Sequence, residues 1–178
     1  GTGTYARLRR LRIAVVGCRN VLMEDPARLW GAYSTLTYGP FLVRSDGAGA
    51  ADAPRWHEVR DVDAVIGNGY LWRRAALEDV GLLDESFFGY HEDVEWCYRG
   101  RQAGFQVLAV RAARVYHPDT RRRDEDSALI TYYAARNSLM FAKKHRLGYA
   151  VQLRLWLTHG RNLISWTVRP RWRRKRPQ

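Results

Sequence analysis

Between Asp61 and His117 the hydrophobic pattern of the chain changes several times, and turn-forming residues stand at the changes. Asp61 to Ile66 alternates weakly and reads as a strand entering the Gly67-Asn68-Gly69 turn. Arg73 to Val80 then reads as a short helix stopped by Gly81. Asp93 to Ala103 has helical spacing, with Val94, Cys97 and Arg101 on one side and Gly104 as its C-cap. Phe105 to Val110 and Ala113 to His117 read as two further strands, the second closed by Pro118. Strands alternating with helices require a sheet that helices cover, an α/β domain.

The flanks complete that expectation. Leu11 to Gly17 is a continuous apolar run ending in Gly, which suits a buried strand of a parallel or mixed sheet. Glu24 to Trp30 reads as a turn followed by a short helical or irregular piece, and Ser45 to Pro54 as a mobile loop. Gly1 to Arg10 reads as the end of a linker, and Asp119 to Asp126 as a charged loop. Ser127 opens a helix reaching about His145, and a second helix covers Tyr149 to Val168. The 178 residues suffice for one domain with a real core. The expected division is a sheet domain over 1–126 and basic helices with a tail over 127–178.

Charge separates the same two regions. The net charge is +12, and from Ser127 onward there are 12 Lys and Arg residues and no acid. The remaining 18 basic residues are balanced by 18 acidic ones, so the body is neutral. At 100° per residue, Tyr149, Ala150, Leu153, Trp156, Leu157, Leu163, Ile164 and Thr167 share one face of the last helix. Arg154, Thr158, Arg161, Asn162, Ser165 and Arg169 share the other, which Leu155 and Trp166 interrupt. With the basic run Arg169 to Arg176, residues 149–176 suit an anionic membrane surface. The alternative is a helix packed on the sheet domain with a basic tip. A nucleic-acid partner is not expected, because the neutral body offers no second binding face. Cys18 and Cys97 match no metal or redox spacing, which fits a reducing compartment. No secretory leader or membrane-spanning run is visible in the sequence.

Chemistry centres on Glu92-Asp93. Two acids opening a helix sit where the macrodipole favours negative charge. A carboxylate at a pocket edge can take a proton from a hydroxyl nucleophile. Plain helix capping accounts for the same pair equally simply. Asp84 and Glu85 are open to a similar double reading, as pocket-lining acids or as caps of the turn before Phe87.

The order of these pieces resembles family 2 glycosyltransferases. Arg73-Arg74 opens a helix ending in Val80-Gly81; Asp84-Glu85 precedes Phe87-Phe88; Glu92-Asp93 opens a helix holding Arg99. Gly104-Phe105, a strand over Val107 to Val110, Tyr116-His117, and Tyr132-Tyr133 before Arg136-Asn137 follow in family order. The resemblance spans roughly Arg12 to Arg146 and implies the acceptor-side, C-terminal portion of a GT-A fold, rhamnosyltransferase-like and of hexosyltransferase type. It implies inverting transfer from a nucleotide-sugar donor to a glycan or lipid-linked acceptor, in cell-wall or polysaccharide biosynthesis at the cytoplasmic membrane face.

By the same resemblance Asp93 is the general base, and Glu92 fixes its geometry or binds an acceptor hydroxyl. Asp84 and Glu85 line the approach, while Gly67 and Asn68 form a turn against the acceptor or donor sugar, unless the turn is an ordinary one. Arg136 approaches the donor diphosphate, unless it is a helix-surface arginine beside Tyr132 and Tyr133, and Asn137 holds that loop. His117 joins a divalent cation, Mg or Mn, whose Asp-x-Asp ligands are absent from this chain; Asp61-Val62-Asp63 has the letters but stands too late. The rival readings are an inactive remnant that binds acceptor or membrane, and a basic nucleic-acid-binding module.

Overall fold

The computed structural model describes residues 12–119 and 128–168. The expected linker at Gly1 to Arg10, nearly all of the charged loop and the basic run from Arg169 lie outside the described residues. The chain divides into two compact units. One takes in residues 1–35, 45–84 and 93–118; the other gathers 36–44 and 85–92 with 119–178.

The first unit is built on β1, Ile13–Leu22, almost all of it buried. Beside it in parallel runs β7, Gln106–His117, from the pairing of Ile13 with Gln106 to that of Leu22 with His117. On the opposite edge two short antiparallel strands share the length of β1. Its first half pairs with β6, Tyr70–Trp72, and its second half with β2, Leu29–Gly31. β5, Arg60–Asp61, closes the far side against β7. A separate hairpin joins β3, Tyr33–Leu36, to β4, Val43–Asp46. The α/β expectation therefore stands, as a mixed sheet accompanied by helices.

Four sequence expectations need correction. β1 runs past Gly17 because its polar continuation finds buried partners. Arg19 is ion-paired with Asp52, which also bonds His57 Nε2 at 2.8 Å. Phe105 to Val110 and Ala113 to His117 are one strand rather than two. The pairing of β1 steps from Gly17–Ala109 to Arg19–Arg114, so the expected break is a bulge. Nothing in Val110-Arg111-Ala112-Ala113 could turn the chain back. Asp61 to Ile66 is not one strand: after Asp61 only Val62 N–H still bonds β7, at Val107 O, and Ala64 turns to a single bridge with Ser34, while Val62, Ala64, Val65 and Ile66 are buried. Ser45 to Pro54 is no loose loop. Its backbone is bonded to the 27–32 segment through Ala32 N–H to Asp46 O, Leu29 N–H to Ala50 O and Asp52 N–H to Ala27 O.

Two helices complete this unit. α1 spans Arg74–Val80 and ends on Gly81, whose φ of 87° admits no side chain without strain. α2 spans Glu92–Gln102 and buries Val94, Glu95, Trp96, Cys97 and Gly100. Apolar spacing alone would not bury Glu95. Its carboxylate receives Arg99 Nε at 2.9 Å, while the same guanidinium donates to Val80 O and Leu82 O. Trp96 Nε1 donates to Gly81 O at 2.7 Å and its ring stacks on Trp72. One Arg and one Trp thus fix α2 to the end of α1.

The second unit contains α3, Ala128–Lys144, and α4, Tyr149–Val168. α4 buries Leu155 and Thr158, with His159 and Asn162 half-buried on the same side. Its apolar face is exposed: Tyr149, Leu153, Trp156, Leu157, Leu163 and Ile164 are all more than half accessible, Tyr149 to 91%. The helix therefore packs through the face that reads as polar in the sequence.

Replacing Arg99 by Met leaves the Glu95 carboxylate buried without its cation. Arg99→Met is expected to destabilise the fold by about 3 kcal/mol, read as a lower urea midpoint at unchanged slope. An unchanged midpoint would show that the pair does not hold α2.

Candidate active site

In the first unit the Gly67-Asn68-Gly69 turn and the start of α2 come together. Asp93 is the second residue of α2. Its Oδ2 accepts the Gly67 N–H at 2.8 Å and its Oδ1 accepts the Val94 N–H at 2.7 Å. Both carboxylate oxygens are thereby oriented by backbone donors, which do not change rotamer. The turn is glycine-rich for packing reasons that can be located. A Cβ on Gly67 would lie 3.1 Å from Asp93 Oδ2, and one on Gly69 would lie 2.5 Å from Cys18 Sγ. The small residue at 67 thus makes room for the carboxylate. Asn68 is exposed beside it, and Asp84 is half-buried.

His117 ends β7 opposite Leu22 of β1. Its ring packs 4.6 Å from that of Trp30, and its Nδ1 lies 2.8 Å from Pro118 O. A carbonyl can only accept, so Nδ1 carries the proton and the neutral ring leaves Nε2 as its acceptor nitrogen. That tautomer suits a metal ligand. A metal site needs several converging donors, however, and among the described residues no group of three His, Cys, Asp or Glu side chains could hold an ion. The residues present do not by themselves make the cation site that the resemblance implies. Neither thiol is a candidate ligand or nucleophile: burial pushes Cys97 up to about 12 and raises Cys18 as well.

The second unit holds the other candidates in one arrangement. Residues 85–92 begin with a single 3-10 turn, Glu85–Phe87, on which Glu85 is exposed and Phe87 fully buried. Phe88, Tyr90 and His91 then take φ values of 62°, 65° and 70°, conformations that side chains rarely adopt. Asn137 holds this segment from α3. Its Nδ2 donates to Phe87 O at 2.8 Å and to Gly89 O and Tyr90 O at 2.7 Å. Arg136 donates to Ser86 O at 3.0 Å and to Asn137 Oδ1 at 2.8 Å, with its guanidinium over the Tyr133 ring. Asn137 is wholly buried, so its side chain positions the segment and is closed to substrate. At the end of the segment, Glu92 Oε2 is buried and makes no hydrogen bond.

The sequence gives no sign of the left-handed run. Phe88, Tyr90 and His91 are poor candidates for positive φ, and only Gly89 among them suggests a turn. The available clue is the Arg136-Asn137 pair on a helix, since a buried Asn needs partners for both ends of its amide.

Residues 4–137 match the family described as glycosyltransferase like family 2. The low-salt glycan biosynthesis hexosyltransferase Agl10 of Haloferax volcanii is 29% identical over 115 residues, which are 61% of this chain and 38% of that protein. The chain thus spans well under half the length of this relative. With the family match, the mixed sheet and its helices are a partial GT-A-like α/β fold.

Asn137→Asp places a carboxylate against three carbonyl oxygens. It is expected to destabilise the protein by at least about 3 kcal/mol, seen as a fall in the thermal midpoint with faster proteolysis within 85–92. A midpoint equal to that of the unaltered protein would mean that the segment holds its shape without the amide.

Proposed function

The chain belongs to glycosyltransferase family 2, and from that membership we propose that it serves an inverting sugar transfer from a nucleotide-sugar donor. The acceptor is a hydroxyl of a glycan or of a lipid-linked saccharide. The observation that carries the reading is the Asp93 carboxylate at the opening of α2, aimed by the N–H groups of Gly67 and Val94. In the reaction Asp93 takes the proton of the acceptor hydroxyl as its oxygen forms the new bond to the anomeric carbon. The bond to the nucleoside diphosphate breaks on the opposite face, which inverts configuration. A carboxylate held in one orientation needs no reorganisation at that moment, the condition under which general-base catalysis contributes most.

Glu92 is the proposed partner of an acceptor hydroxyl. Its buried, unbonded Oε2 supports this, because such an oxygen is costly unless a ligand completes it. Asp84 and Glu85 line the approach in this reading, and Asn68 presents its exposed side chain to a sugar. The Agl10 relative is named for glycan biosynthesis and for hexosyl transfer; a hexose donor is proposed here on that ground. Arg136 acts with Asn137 on the 85–92 segment, and its remaining donors are offered to the diphosphate. His117 would give Nε2 to a cation whose other ligands come from elsewhere.

The protein works at a membrane surface in this proposal, on the inner face of the cell membrane. No helix among the described residues is long and apolar enough to cross a bilayer. The exposed stripe of α4 instead fits a helix lying in the interface, with Arg154 and Arg161 along one margin.

Asp93→Asn is expected to lower transfer by about 10²–10⁴-fold while costing only about 1 kcal/mol of stability, measured on the natural polypeptide with its nucleotide-sugar donor. Transfer near the original rate would remove Asp93 from the base role, whereas no transfer by the unaltered protein would favour an inactive binding remnant. Trp156→Glu with Leu157→Glu is expected to cut retention on phosphatidylglycerol vesicles roughly ten-fold at an unchanged thermal midpoint. Equal retention would rule out the stripe as the membrane contact, and preference for duplex DNA over vesicles would replace the membrane by nucleic acid.

A further inference from the structure

Within the second unit lies a cavity of about 310 Å³ that the transfer reaction does not use. Three elements wall it: the hairpin tip with Phe41, Leu42 and Val43, the α3 turn with Ile130, Thr131, Ala134, Ala135 and Ser138, and α4 with His159 and Asn162. His91, the last left-handed residue of the strained segment, closes it. The volume falls in the range of small-molecule sites and equals that of about ten liquid waters. Phe41 lines it while remaining 57% exposed, so the cavity communicates with solvent at the hairpin tip.

The chemistry of the wall excludes most ligand classes. Among the described residues no Asp, Glu, Lys or Arg side chain lines it, although the protein carries a net charge of +12. Its two histidines are neutral at pH 7. Burial and the neighbouring His159 push His91 down to about 4, and burial lowers His159. A nucleotide, a diphosphate or a carboxylate would call for cations, and the described wall offers none. A saccharide would need a dense set of donors and acceptors, whereas most of the wall is aliphatic or aromatic carbon. The polar side chains are those of His91, Thr131, Ser138, His159 and Asn162, and some of them are engaged. Ser138 Oγ donates to Ala135 O and lies 2.8 Å from His159 Nε2. His91 Nδ1 is buried without a hydrogen-bond partner. This is the profile of a site for an uncharged, mostly apolar chain.

α4 indicates where such a chain comes from. The helix turns His159 and Asn162 toward the cavity side and carries the bare apolar stripe from Tyr149 to Ile164 on its other side. We propose that the cavity receives the hydrocarbon chain of a membrane lipid, drawn from the bilayer on which α4 lies. This rests on the membrane reading above, and the test separates the two. The full chain is photolysed with a diazirine-bearing dodecanol, and labelled peptides are mapped by mass spectrometry. Label is expected in the peptides holding Phe41 to Val43 and Ile130 to Ser138, and unlabelled dodecanol is expected to compete it away. Ala135→Leu, which fills the cavity, should reduce that label roughly ten-fold without altering vesicle retention. Label confined to Leu153, Trp156 and Leu157, or cavity label that dodecanol cannot displace from the unaltered protein, overturns the proposal and leaves the membrane reading standing. Competed cavity label together with absent vesicle retention keeps the lipid site and removes the membrane surface. Should Ala135→Leu fail to fold, the competition on the unaltered protein still decides.

Discussion

The Asn137 amide is the contact on which the second unit depends. Three non-glycine residues within four positions hold left-handed backbone, at roughly 1–3 kcal/mol each. Three hydrogen bonds from one buried nitrogen, a fourth from Arg136, and the burial of Phe87 together offset a cost of that size. Remove the amide and the carbonyls of Phe87, Gly89 and Tyr90 lose their donor where the backbone is already strained. The bond from Arg136 to Ser86 O, the burial of Phe87 and the stack of Phe88 on Tyr133 would then have to hold residues 85–92 against relaxation to extended backbone. The direction of Glu92 and the closure of the cavity by His91 both follow from this one side chain.

The first unit relies on a different constraint, the double use of β1. Its inner edge runs parallel to β7 along nearly its full length, and its outer edge is divided between β6 and β2. Each short strand delivers something to the site. β6 follows directly on the Gly67-Asn68-Gly69 turn and so fixes where that turn stands, while the C-terminal ends of β1 and β7 bring Leu22 beside His117. α2 is then set by Trp96 on Gly81 and by Arg99 on Val80, Leu82 and Glu95. Asp93 meets Gly67 because both the helix and the turn are independently fastened to the same sheet.

Much of this was legible from residue order. Gly81 and Gly104 mark the ends of their helices, the start of α2 falls within one residue of its expected place, and α4 has the bounds that its periodicity gives. The turn at Gly67 and the acids at Glu92 and Asp93 could be singled out, since Gly permits close approach and acids suit a helix start. What could not be read is how polar groups are satisfied over long separations. The apolar run ends at Gly17 on paper, yet Asp52 allows Arg19 to continue a buried strand. Glu95 is an unremarkable helical acid until Arg99, itself held by the carbonyls of Val80 and Leu82, pairs with it. The strain at Phe88, Tyr90 and His91 leaves no mark in residue type, because it is imposed by an amide about fifty positions away. The faces of α4 were drawn as the structure has them, with the apolar one turned outward; which face turns inward depends on what α3 offers, and Ser138 Oγ of α3 lies 2.8 Å from His159 Nε2.

That outward apolar face has a consequence for handling the protein in water. The stripe from Tyr149 to Ile164 is exposed to solvent along the helix. In the absence of amphiphile, two chains meeting stripe to stripe would each shield the other's aromatic and aliphatic groups. Concentration, rather than denaturation, then governs when the purified material comes out of solution, and mild surfactant should keep it monodisperse.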